Sequence, residues 1–335
     1  MSLESRMPRI TLPLVLISHA LPTDWLTMLD GHCIYKTGPA DATQWEPALK
    51  ELVPKAEGFF CLLTIPVTEK LLAQAPKLRV ISNMAVGVDN IDINACTFRR
   101  IPVGNTPGVL TESTADLTMT IMLSIARNIP QASFDAREGL WKTWNPSGWL
   151  GMELHGSTLG IIGMGKIGQS VAKRALGFGT TILFTDPKTI HFPNATQVSL
   201  EELLIRSDIV SLHAPLMTET RSIINEKTLS FMKPSAILIN TARGQLVDTN
   251  ALVEALQNKK ISGVALDVTD PEPLPPTHPL YRFPNCLIVP HIGSATQKTR
   301  RLMAELACRN LVAGLRGERL LHCVNPEVYD EILKG

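Results

Sequence analysis

The feature that most constrains the fold is the stretch TLGIIGMGKIGQ, residues 158–169, in which a short apolar run meets a segment of helical pattern. Three glycines at the junction, Gly163, Gly165 and Gly168, have the spacing G-x-G-x-x-G. A strand that turns at once into a helix needs residues without side chains, because the turn adopts unusual dihedral angles and the two elements approach closely. The stretch therefore predicts a βα unit, and it lies almost halfway along a chain of 335 residues.

Short apolar runs alternate with helix-like intervals on both sides of this turn, which is typical of parallel sheets covered by helices. The length allows about two domains of roughly 150 residues each. We therefore predict an α/β protein with two doubly wound, Rossmann-like parallel sheets. The predicted strands lie in LPLVLIS, CIYK, GFFCLL, LRVISN and IPVGN before residue 105, and in TLGII, TTILFTD, DIVSLHA, SAILINTA, ISGVALDV and NCLIVPH after residue 157.

Three further segments complete the predicted architecture. A long helical pattern begins at Thr111 and closes before Pro130. Residues 139–156 contain three tryptophans among glycine and proline, so they predict an irregular arm. The long helical pattern after His291 has no strand to serve in the second sheet, and we expect it to pack on the N-terminal domain.

Composition excludes several classes of function. Lys and Arg number 32 and Asp and Glu number 31, so the formal charge of +1 provides no basic field for nucleic acid or an anionic membrane. No apolar run approaches the ~20 residues that cross a bilayer. The six cysteines contain no C-x-x-C pair, which predicts reduced thiols, no metal site and a cytosolic protein.

The glycine turn has the features of a dinucleotide-binding fingerprint. Gly163 would permit the tight turn, Gly165 would let the backbone approach a pyrophosphate, and Gly168 would let helix and strand pack closely. Asp186 ends the next predicted strand, 23 positions after Gly163, where a carboxylate can bind ribose hydroxyls and repel a 2′-phosphate. The sequence predicts NAD rather than NADP, although Asp186 is also compatible with a simple turn before Pro187.

Polar side chains follow three of the predicted strands, where an open α/β sheet binds its ligands. These are Arg243, then Asp267 with Glu272, and finally His291. Histidine titrates in the range useful for acid–base catalysis, a carboxylate on its other nitrogen fixes the tautomer, and arginine binds a carboxylate through two parallel hydrogen bonds. We predict that Arg243, Glu272 and His291 form a catalytic group. Singly, each residue also fits an ordinary loop, ion pair or turn.

These motifs resemble the D-isomer-specific 2-hydroxyacid dehydrogenases over nearly the whole chain. The resemblance rests on GIIGMGKIG, HAPLMTETR, INTARGQLVD, GVALDVTDPEPLP, HPL and PHIGSAT, and the last three look most like the glyoxylate/hydroxypyruvate reductase branch. It implies hydride transfer between a nicotinamide cofactor and a small 2-oxo acid or D-2-hydroxy acid. It also implies two domains separated by a cleft: a discontinuous, flavodoxin-like substrate domain (residues 1–104 and 294–335) and an NAD-binding Rossmann domain (residues 105–293).

The resemblance assigns further residues to the substrate, the cofactor and a subunit interface. It implies that the loop SNMAVGVDNID holds the substrate carboxylate through backbone N–H groups, that Arg243 and His291 contact the substrate, and that the arm at 139–156 forms a homodimer. The implied loop residues are Ala85, Val86 and Gly87; the implied cofactor residues, besides the three glycines and Asp186, are Thr114, Lys166, Ile167, His213, Ala214, Pro215, Thr220, Thr241, Ala242, Asp267 and Gly293; and the arm carries Trp141, Trp144 and Trp149.

Three alternatives stay open at the level of sequence. Many reductases of this branch favour NADP, for which Lys188 offers a phosphate contact that competes with the argument from Asp186. NAD-sensing corepressors have the same fold and catalytic trio, but they usually carry a long tail that we do not expect here. A 3-phosphoglycerate dehydrogenase is the third alternative, and many of those proteins have an additional regulatory domain.

Overall fold

The computed structural model describes residues 12–330, so the outermost parts of the predicted substrate domain, residues 1–11 and 331–335, lie outside the described residues. The chain forms two compact units. Unit 1 contains the described residues up to Val109 and from Gln297 onward, and unit 2 spans Leu110–Thr296. These boundaries lie within five residues of those expected from the sequence.

The strands of the described residues follow the alternation of the sequence. They are β1 (Leu14–Ile17), β2 (Ile34–Thr37), β3 (Gly58–Cys61), β4 (Val80–Asn83), β5 (Val103–Gly104), β6 (Thr158–Ile162), β7 (Thr181–Thr185), β8 (Ala195–Gln197), β9 (Ile209–Leu212), β10 (Ile237–Asn240), β11 (Gly263–Leu266) and β12 (Cys286–Ile288).

Helices cover or connect these strands. The α-helices are α1 (Pro47–Lys50), α2 (Glu69–Ala73), α3 (Ile93–Phe98), α4 (Thr111–Ala126), α5 (Ile129–Arg137), α6 (Lys166–Leu176), α7 (Leu200–Arg206), α8 (Glu226–Leu229), α9 (Thr249–Gln257) and α10 (Gln297–Leu315). Short 3-10 turns occur at Thr23–Trp25, Thr27–Leu29, Val53–Lys55, Gly244–Leu246, Pro279–Arg282 and Pro326–Tyr329.

Unit 1 contains a five-stranded parallel sheet with the order β2-β1-β3-β4-β5, which is the flavodoxin-like order. Strands β3 and β4 are fully buried; β3 is continuously apolar, as is typical of a parallel strand covered on both faces, whereas β4 ends in the polar residues Ser82 and Asn83. The strand order reverses between β1 and β3. In an open sheet, this reversal marks the place where loops at the carboxyl edge diverge and leave room for a ligand.

Unit 2 contains a seven-stranded parallel sheet with the order β12-β11-β10-β9-β6-β7-β8. Counted from β6, this is the order 3-2-1-4-5-6 of a dinucleotide-binding sheet with one strand added at the edge. The chain reverses direction across the sheet between β6 and β9, next to the glycine turn. The two sheets confirm the predicted α/β class and its doubly wound topology.

Two elements of unit 2 differ from the sequence-based expectation. The edge strand β8 has only three residues, none of them buried, so it lacks the apolar signal of the inner strands. The helix that begins at Thr111 ends at Ala126, and a second helix, α5, follows after Asn128 adopts a left-handed conformation with φ +50°. Pro130 lies in the first turn of α5, where a backbone N–H would have no partner within the helix. The missing N–H of proline therefore costs nothing there, and Pro130 helps to begin a helix instead of closing one.

The C-terminal helix α10 packs on the sheet of unit 1. A Cβ on Gly314 would lie 2.4 Å from the Val80 side chain, so the helix approaches β4 to a distance that only glycine permits. The Ser82 hydroxyl of β4 donates to the carbonyl of Ala307 at 2.8 Å. Among residues 12–330, no helix is both long and apolar enough to cross a membrane.

Candidate active site

The loops after β10, β11 and β12 bring Arg243, Glu272 and His291 to one edge of the sheet in unit 2. These three strands are neighbours and run parallel, with Leu238 opposite Val264 and Leu266 opposite Ile288. Their carboxyl ends therefore meet at the same edge.

His291 and Glu272 form a short hydrogen bond, with 2.6 Å between Nδ1 and Oε1. The other carboxylate oxygen of Glu272 accepts the backbone N–H of Thr269 at 3.3 Å. The exposed fractions of the His291 and Glu272 side chains are 27% and 31%, so both remain within reach of a ligand. With Nδ1 paired to the carboxylate, Nε2 is the nitrogen left for proton exchange.

The surroundings of Glu272 keep its carboxyl ionised. Burial alone would raise its pKa, but the hydrogen bond and charge of His291, the N–H of Thr269 and the charge of Arg243 outweigh burial and hold the pKa below its usual value. An ionised Glu272 can accept a hydrogen bond from Nδ1 of His291 and so hold the ring in one orientation.

Asp267 fixes the backbone on which His291 is carried. It is buried, and its two carboxylate oxygens accept the N–H groups of Ile292 at 2.6 Å and Gly293 at 2.9 Å. His291 has a left-handed backbone with φ +52°, an uncommon conformation that this turn stabilises, and its N–H donates to the carbonyl of Asp267 at 2.9 Å. Burial raises the pKa of Asp267, and the N–H donors and the charge of His291 offset only part of that effect.

The loop of Arg243 is braced by its own strand. Asn240, at the end of β10, donates from Nδ2 to the carbonyl of Arg243 at 2.8 Å and accepts the N–H of Ala242 at 3.0 Å. A Cβ on Gly244 would lie 1.9 Å from the carbonyl oxygen of Thr269. Glycine is thus required where the loop that bears Arg243 touches the loop that bears Glu272. Asn240 and Gly244 were not predicted as site residues. Asn240 could have been identified, because it is a polar residue at the end of an apolar strand.

The glycine turn has the geometry that its spacing predicts. Gly163 has φ +96°, and a Cβ there would lie 2.6 Å from the backbone nitrogen of Ala214. A Cβ on Gly168 would lie 2.2 Å from the carbonyl oxygen of Gly163, whereas one on Gly165 would meet nothing within 4 Å. Open space at Gly165, at the start of α6, fits a pyrophosphate that approaches the helix N-terminus. Lys166 and Ile167 form the first turn of α6.

Asp186 follows β7 and accepts two backbone N–H groups, that of Met164 at 2.9 Å and that of Lys188 at 3.0 Å. The bond from Met164 ties the carboxylate to the glycine turn. The bond from Lys188 forms the local turn at Pro187 that the sequence analysis gave as an alternative role for Asp186. Each oxygen keeps a further acceptor position. Gln197 of β8 holds this loop by donating to the carbonyls of Asp186 and Lys188, both at 2.9 Å.

The segment after β9 lies beside the glycine turn. His213 pairs through Nε2 with the Ser211 hydroxyl at 2.8 Å, and burial lowers the pKa of His213 to about 3, so its ring is neutral. Ala214 contacts the position of Gly163, as described above. Thr220 closes the following loop by donating to the carbonyl of Pro215 at 2.7 Å and accepting the N–H of Met217 at 2.8 Å.

Helix α4 supports the strand ends through hydroxyl groups. Thr118 is fully buried and pairs with Thr241 at 2.9 Å between the two Oγ1 atoms. Thr114 donates to the carbonyl of Gly293 at 3.4 Å. Thr114, Thr241 and Gly293 were predicted to lie near the cofactor, and the structure brings them together at the carboxyl edge of unit 2. Thr118 was missed because its hydroxyl resembles any other polar residue in a helix.

The predicted substrate loop belongs to unit 1 and follows β4. Ala85 is buried, Val86 is 38% exposed, and Gly87 is partly exposed. The carbonyls of Ala85 and Val86 accept the Thr106 N–H and the Asn105 Nδ2, both at 2.8 Å. Within residues 12–330, the N–H groups of Val86 and Gly87 have no hydrogen-bond partner, which suits an anion.

Comparisons with known proteins agree over almost the full length. Residues 119–293 match the family model of the D-isomer specific 2-hydroxyacid dehydrogenase NAD binding domain. The chain is 44% identical over 326 residues to a glyoxylate reductase of Thermofilum pendens, and the alignment covers 94% of this chain and 95% of that protein.

Solved structures give the same result. A protein from Thermus thermophilus has a TM-score of 0.88 and 46% sequence identity, covering 93% of this chain and 99% of its own. A D-lactate dehydrogenase from Aquifex aeolicus, solved with NAD and lactic acid, has a TM-score of 0.81 and 29% identity, with 93% and 99% covered.

The fold and the comparisons define an NAD(P)-dependent oxidoreductase that acts on the CH–OH group of its substrates. The chain belongs to the D-isomer specific 2-hydroxyacid dehydrogenases. The predicted family, its glyoxylate reductase branch, the hydride-transfer reaction and the type of cofactor are thereby confirmed. The enzyme is favoured over the corepressor alternative.

The lowered pKa of Glu272 predicts a pH-dependent contribution to stability. A carboxyl whose pKa is lowered on folding stabilises the native state above its unfolded pKa, and this contribution is lost as the pH falls through the folded value. Glu272→Gln should therefore lower the Tm at pH 7, and the difference from wild type should shrink as the pH falls below about 4. Thermal unfolding monitored from pH 7 to pH 3 measures this difference. Glu219→Gln, at an exposed position of unit 2, should show no such trend; an equal trend in both variants would contradict the assignment.

Proposed function

We propose that this protein reduces a short 2-oxo acid, glyoxylate or hydroxypyruvate, to the corresponding D-2-hydroxy acid. The observation that carries the proposal is the 2.6 Å pair of His291 and Glu272 at the carboxyl edge of a dinucleotide-binding sheet. The substrate class is supported by the 44% identity to a glyoxylate reductase. In this proposal, unit 2 binds the dinucleotide and unit 1 acts as the substrate domain.

The proposed mechanism divides the reaction between these residues. A nicotinamide held by unit 2 would supply the hydride for reduction or accept it in oxidation. During reduction, His291 donates the Nε2 proton to the substrate oxygen, and during oxidation it takes the proton back. Glu272 holds Nδ1 and stabilises the imidazolium. Arg243 binds the substrate carboxylate and stabilises negative charge on the reacting oxygen, while the N–H groups of Val86 and Gly87 bind carboxylate oxygens.

The proposed dinucleotide site uses the glycine turn and the loops around it. Gly163, Gly165 and Gly168, with Lys166 and Ile167, would hold the pyrophosphate at the start of α6. His213, Ala214, Pro215 and Thr220 would line the adenosine side, and Thr114, Thr241, Ala242, Asp267 and Gly293 the nicotinamide side. Asp267 acts here through the backbone, because its two carboxylate oxygens accept the N–H groups of Ile292 and Gly293.

Initial rates test the proposal directly. The substrates are glyoxylate, hydroxypyruvate, pyruvate and a bulkier 2-oxo acid, each measured with NADH and with NADPH. We expect the highest kcat/KM for glyoxylate or hydroxypyruvate, with NADH. Turnover only with the bulkier acid, or with none of the four, would contradict the proposed substrate class.

Removal of the acid–base group should abolish most of the activity. His291→Ala should lower kcat by ~10²-fold or more, because proton transfer by a positioned side chain contributes about that much. The Kd of NADH, measured by fluorescence, should stay near the wild-type value. His155→Ala removes an exposed histidine of the same unit and should leave kcat unchanged. Near-normal turnover of the His291 variant would remove His291 from the mechanism.

The charge of Asp186 is proposed to select NADH. Asp186→Asn keeps the size of the side chain and removes the charge that would repel a 2′-phosphate. The ratio of kcat/KM for NADH over NADPH should fall by roughly tenfold, which corresponds to ~1.4 kcal/mol. Glu201→Gln, at an exposed position on α7, serves as the control. An unchanged ratio in Asp186→Asn would contradict the assignment.

We also propose a cytosolic homodimer. The six cysteines are free thiols, which a reducing compartment maintains. The arm at 139–156 and the neighbouring α5 expose large apolar side chains, and such a patch favours a protein interface. These side chains are Ile129, Phe134, Leu140, Trp141, Trp144 and Leu150, exposed by 53%, 56%, 58%, 65%, 82% and 70%. Trp149 differs, because its Nε1 donates to Asp135 at 2.8 Å.

Sedimentation equilibrium tests the homodimer. Wild type should have twice the chain mass of 36.7 kDa. Trp141→Ser combined with Trp144→Ser should shift the protein toward the monomer, because two large apolar side chains leave the proposed interface. Phe98→Ser removes an equally exposed aromatic from unit 1 and should leave the mass unchanged. A monomeric wild type would contradict the proposal.

A further inference from the structure

The carbonyl groups of the loop after β4 point toward the rest of unit 1. Three consecutive carbonyl oxygens of the loop accept hydrogen bonds from residues of unit 1. The oxygen of Ala85 accepts the N–H of Thr106 at 2.8 Å, that of Val86 accepts Asn105 Nδ2 at 2.8 Å, and that of Gly87 accepts Asn83 Nδ2 at 2.9 Å. Two of these three donors are side-chain amides of asparagine.

These hydrogen bonds point the backbone N–H groups of the loop away from the three donors. A trans peptide is planar, and its C=O and N–H point in opposite directions, so a fixed carbonyl of one residue fixes the N–H of the next. The carbonyls of Ala85, Val86 and Gly87 thus orient the N–H groups of Val86, Gly87 and Val88. In the described part of the chain, none of these three N–H groups has a hydrogen-bond partner. The loop presents three adjacent donors.

Two asparagines, the fully buried Asn83 and the half-buried Asn90, hold the base of the loop. Asn83 is fully buried at the end of β4 and also donates to Asn90 Oδ1 at 3.2 Å. Asn90 Nδ2 donates to the carbonyls of Leu62 at 3.2 Å and Ile65 at 2.9 Å, in the loop after β3. The two asparagines join the loop after β3 to the loop after β4, at the carboxyl edge of the sheet in unit 1. Buried amides are retained at such a position only when their hydrogen bonds are satisfied.

Asn105 occupies a different environment from the fully buried Asn83. Asn105 is half-buried and its hydrogen bond to Val86 is exposed, while its backbone carbonyl accepts Asn310 Nδ2 of α10 at 3.0 Å. A surface hydrogen bond of this kind contributes little to the free energy of unfolding. Its 2.8 Å bond to the Val86 carbonyl fixes the direction of the Gly87 N–H.

We propose that Asn83 and Asn105 are positioning residues for the substrate carboxylate. They fix two successive peptide planes so that the N–H groups of Gly87 and Val88 are aimed before substrate binds, with Val88 as a third donor beside Val86 and Gly87. Donors that are already oriented bind an anion without the cost of ordering the loop. This inference rests on the proposed function, because it takes the substrate carboxylate as the anion.

Asn105→Ala in the full-length chain tests the inference without disturbing the buried core. The KM for glyoxylate and the Ki of oxalate, used as a competitive dicarboxylate probe, should each rise at least fivefold. The kcat should change less than threefold, and the Kd of NADH and the Tm should stay at wild-type values. Asn105→Gln keeps an amide donor and should recover part of the loss. Asn83→Ser should raise both constants as well, with a lower Tm because the residue is buried.

Asn285→Ala is the matched control. It also removes an asparagine bond of 2.8 Å to a backbone carbonyl, that of Ser262, but at the amino end of β11 in unit 2, and it should leave KM and Ki unchanged. Wild-type turnover with an unaltered KM and Ki in Asn105→Ala would overturn the positioning role, and so would equal losses in the Asn285 control. Absence of wild-type turnover with every 2-oxo acid would instead refute the proposed function. If Asn105→Ala does not fold, Asn105→Ser is held to the same expectation.

Discussion

The parallel pairing of β10, β11 and β12 is the constraint on which the candidate site depends. Each strand ends at the same edge, so three loops that are far apart in sequence emerge side by side. Packing between the loops then sets their fine placement. Gly244 lies against the carbonyl of Thr269 at a distance that no side chain permits, and the loop of Glu272 cannot move away from that of Arg243 without losing this contact.

Electrostatics at this edge follow from the same placement. Two carboxylates lie near one imidazole, but they have different roles because their partners differ. Glu272 pairs with the ring of His291 and has a lowered pKa, whereas buried Asp267 binds backbone N–H groups and has a raised pKa. One carboxylate acts on the proton-transfer group, and the other maintains the left-handed turn that carries it.

Much of this organisation could be predicted from the sequence, because apolar runs and strand-end residues have direct physical meaning. The α/β class and the inner strands follow from continuous apolar segments such as those of β3 and β11. The polar edge strand β8 and the break at Asn128 give no comparable signal, since one depends on pairing and the other on a single backbone angle. At the site, charged residues and glycines were identified from residue type, but Asn240 and Asn83 were not, because a neutral amide acquires its role only from the carbonyls that surround it.

The discontinuous composition of unit 1 has a consequence for synthesis on the ribosome. Unit 2 is one uninterrupted segment, Leu110–Thr296, and it separates the sheet of unit 1, which precedes it in the chain, from the packing helix α10, which follows it. Until α10 emerges, the face of β3 and β4 that receives Leu311 and Gly314 has no cover. An apolar sheet surface therefore stays exposed on the nascent chain while nearly two hundred further residues are added. During that time a chaperone can bind this surface.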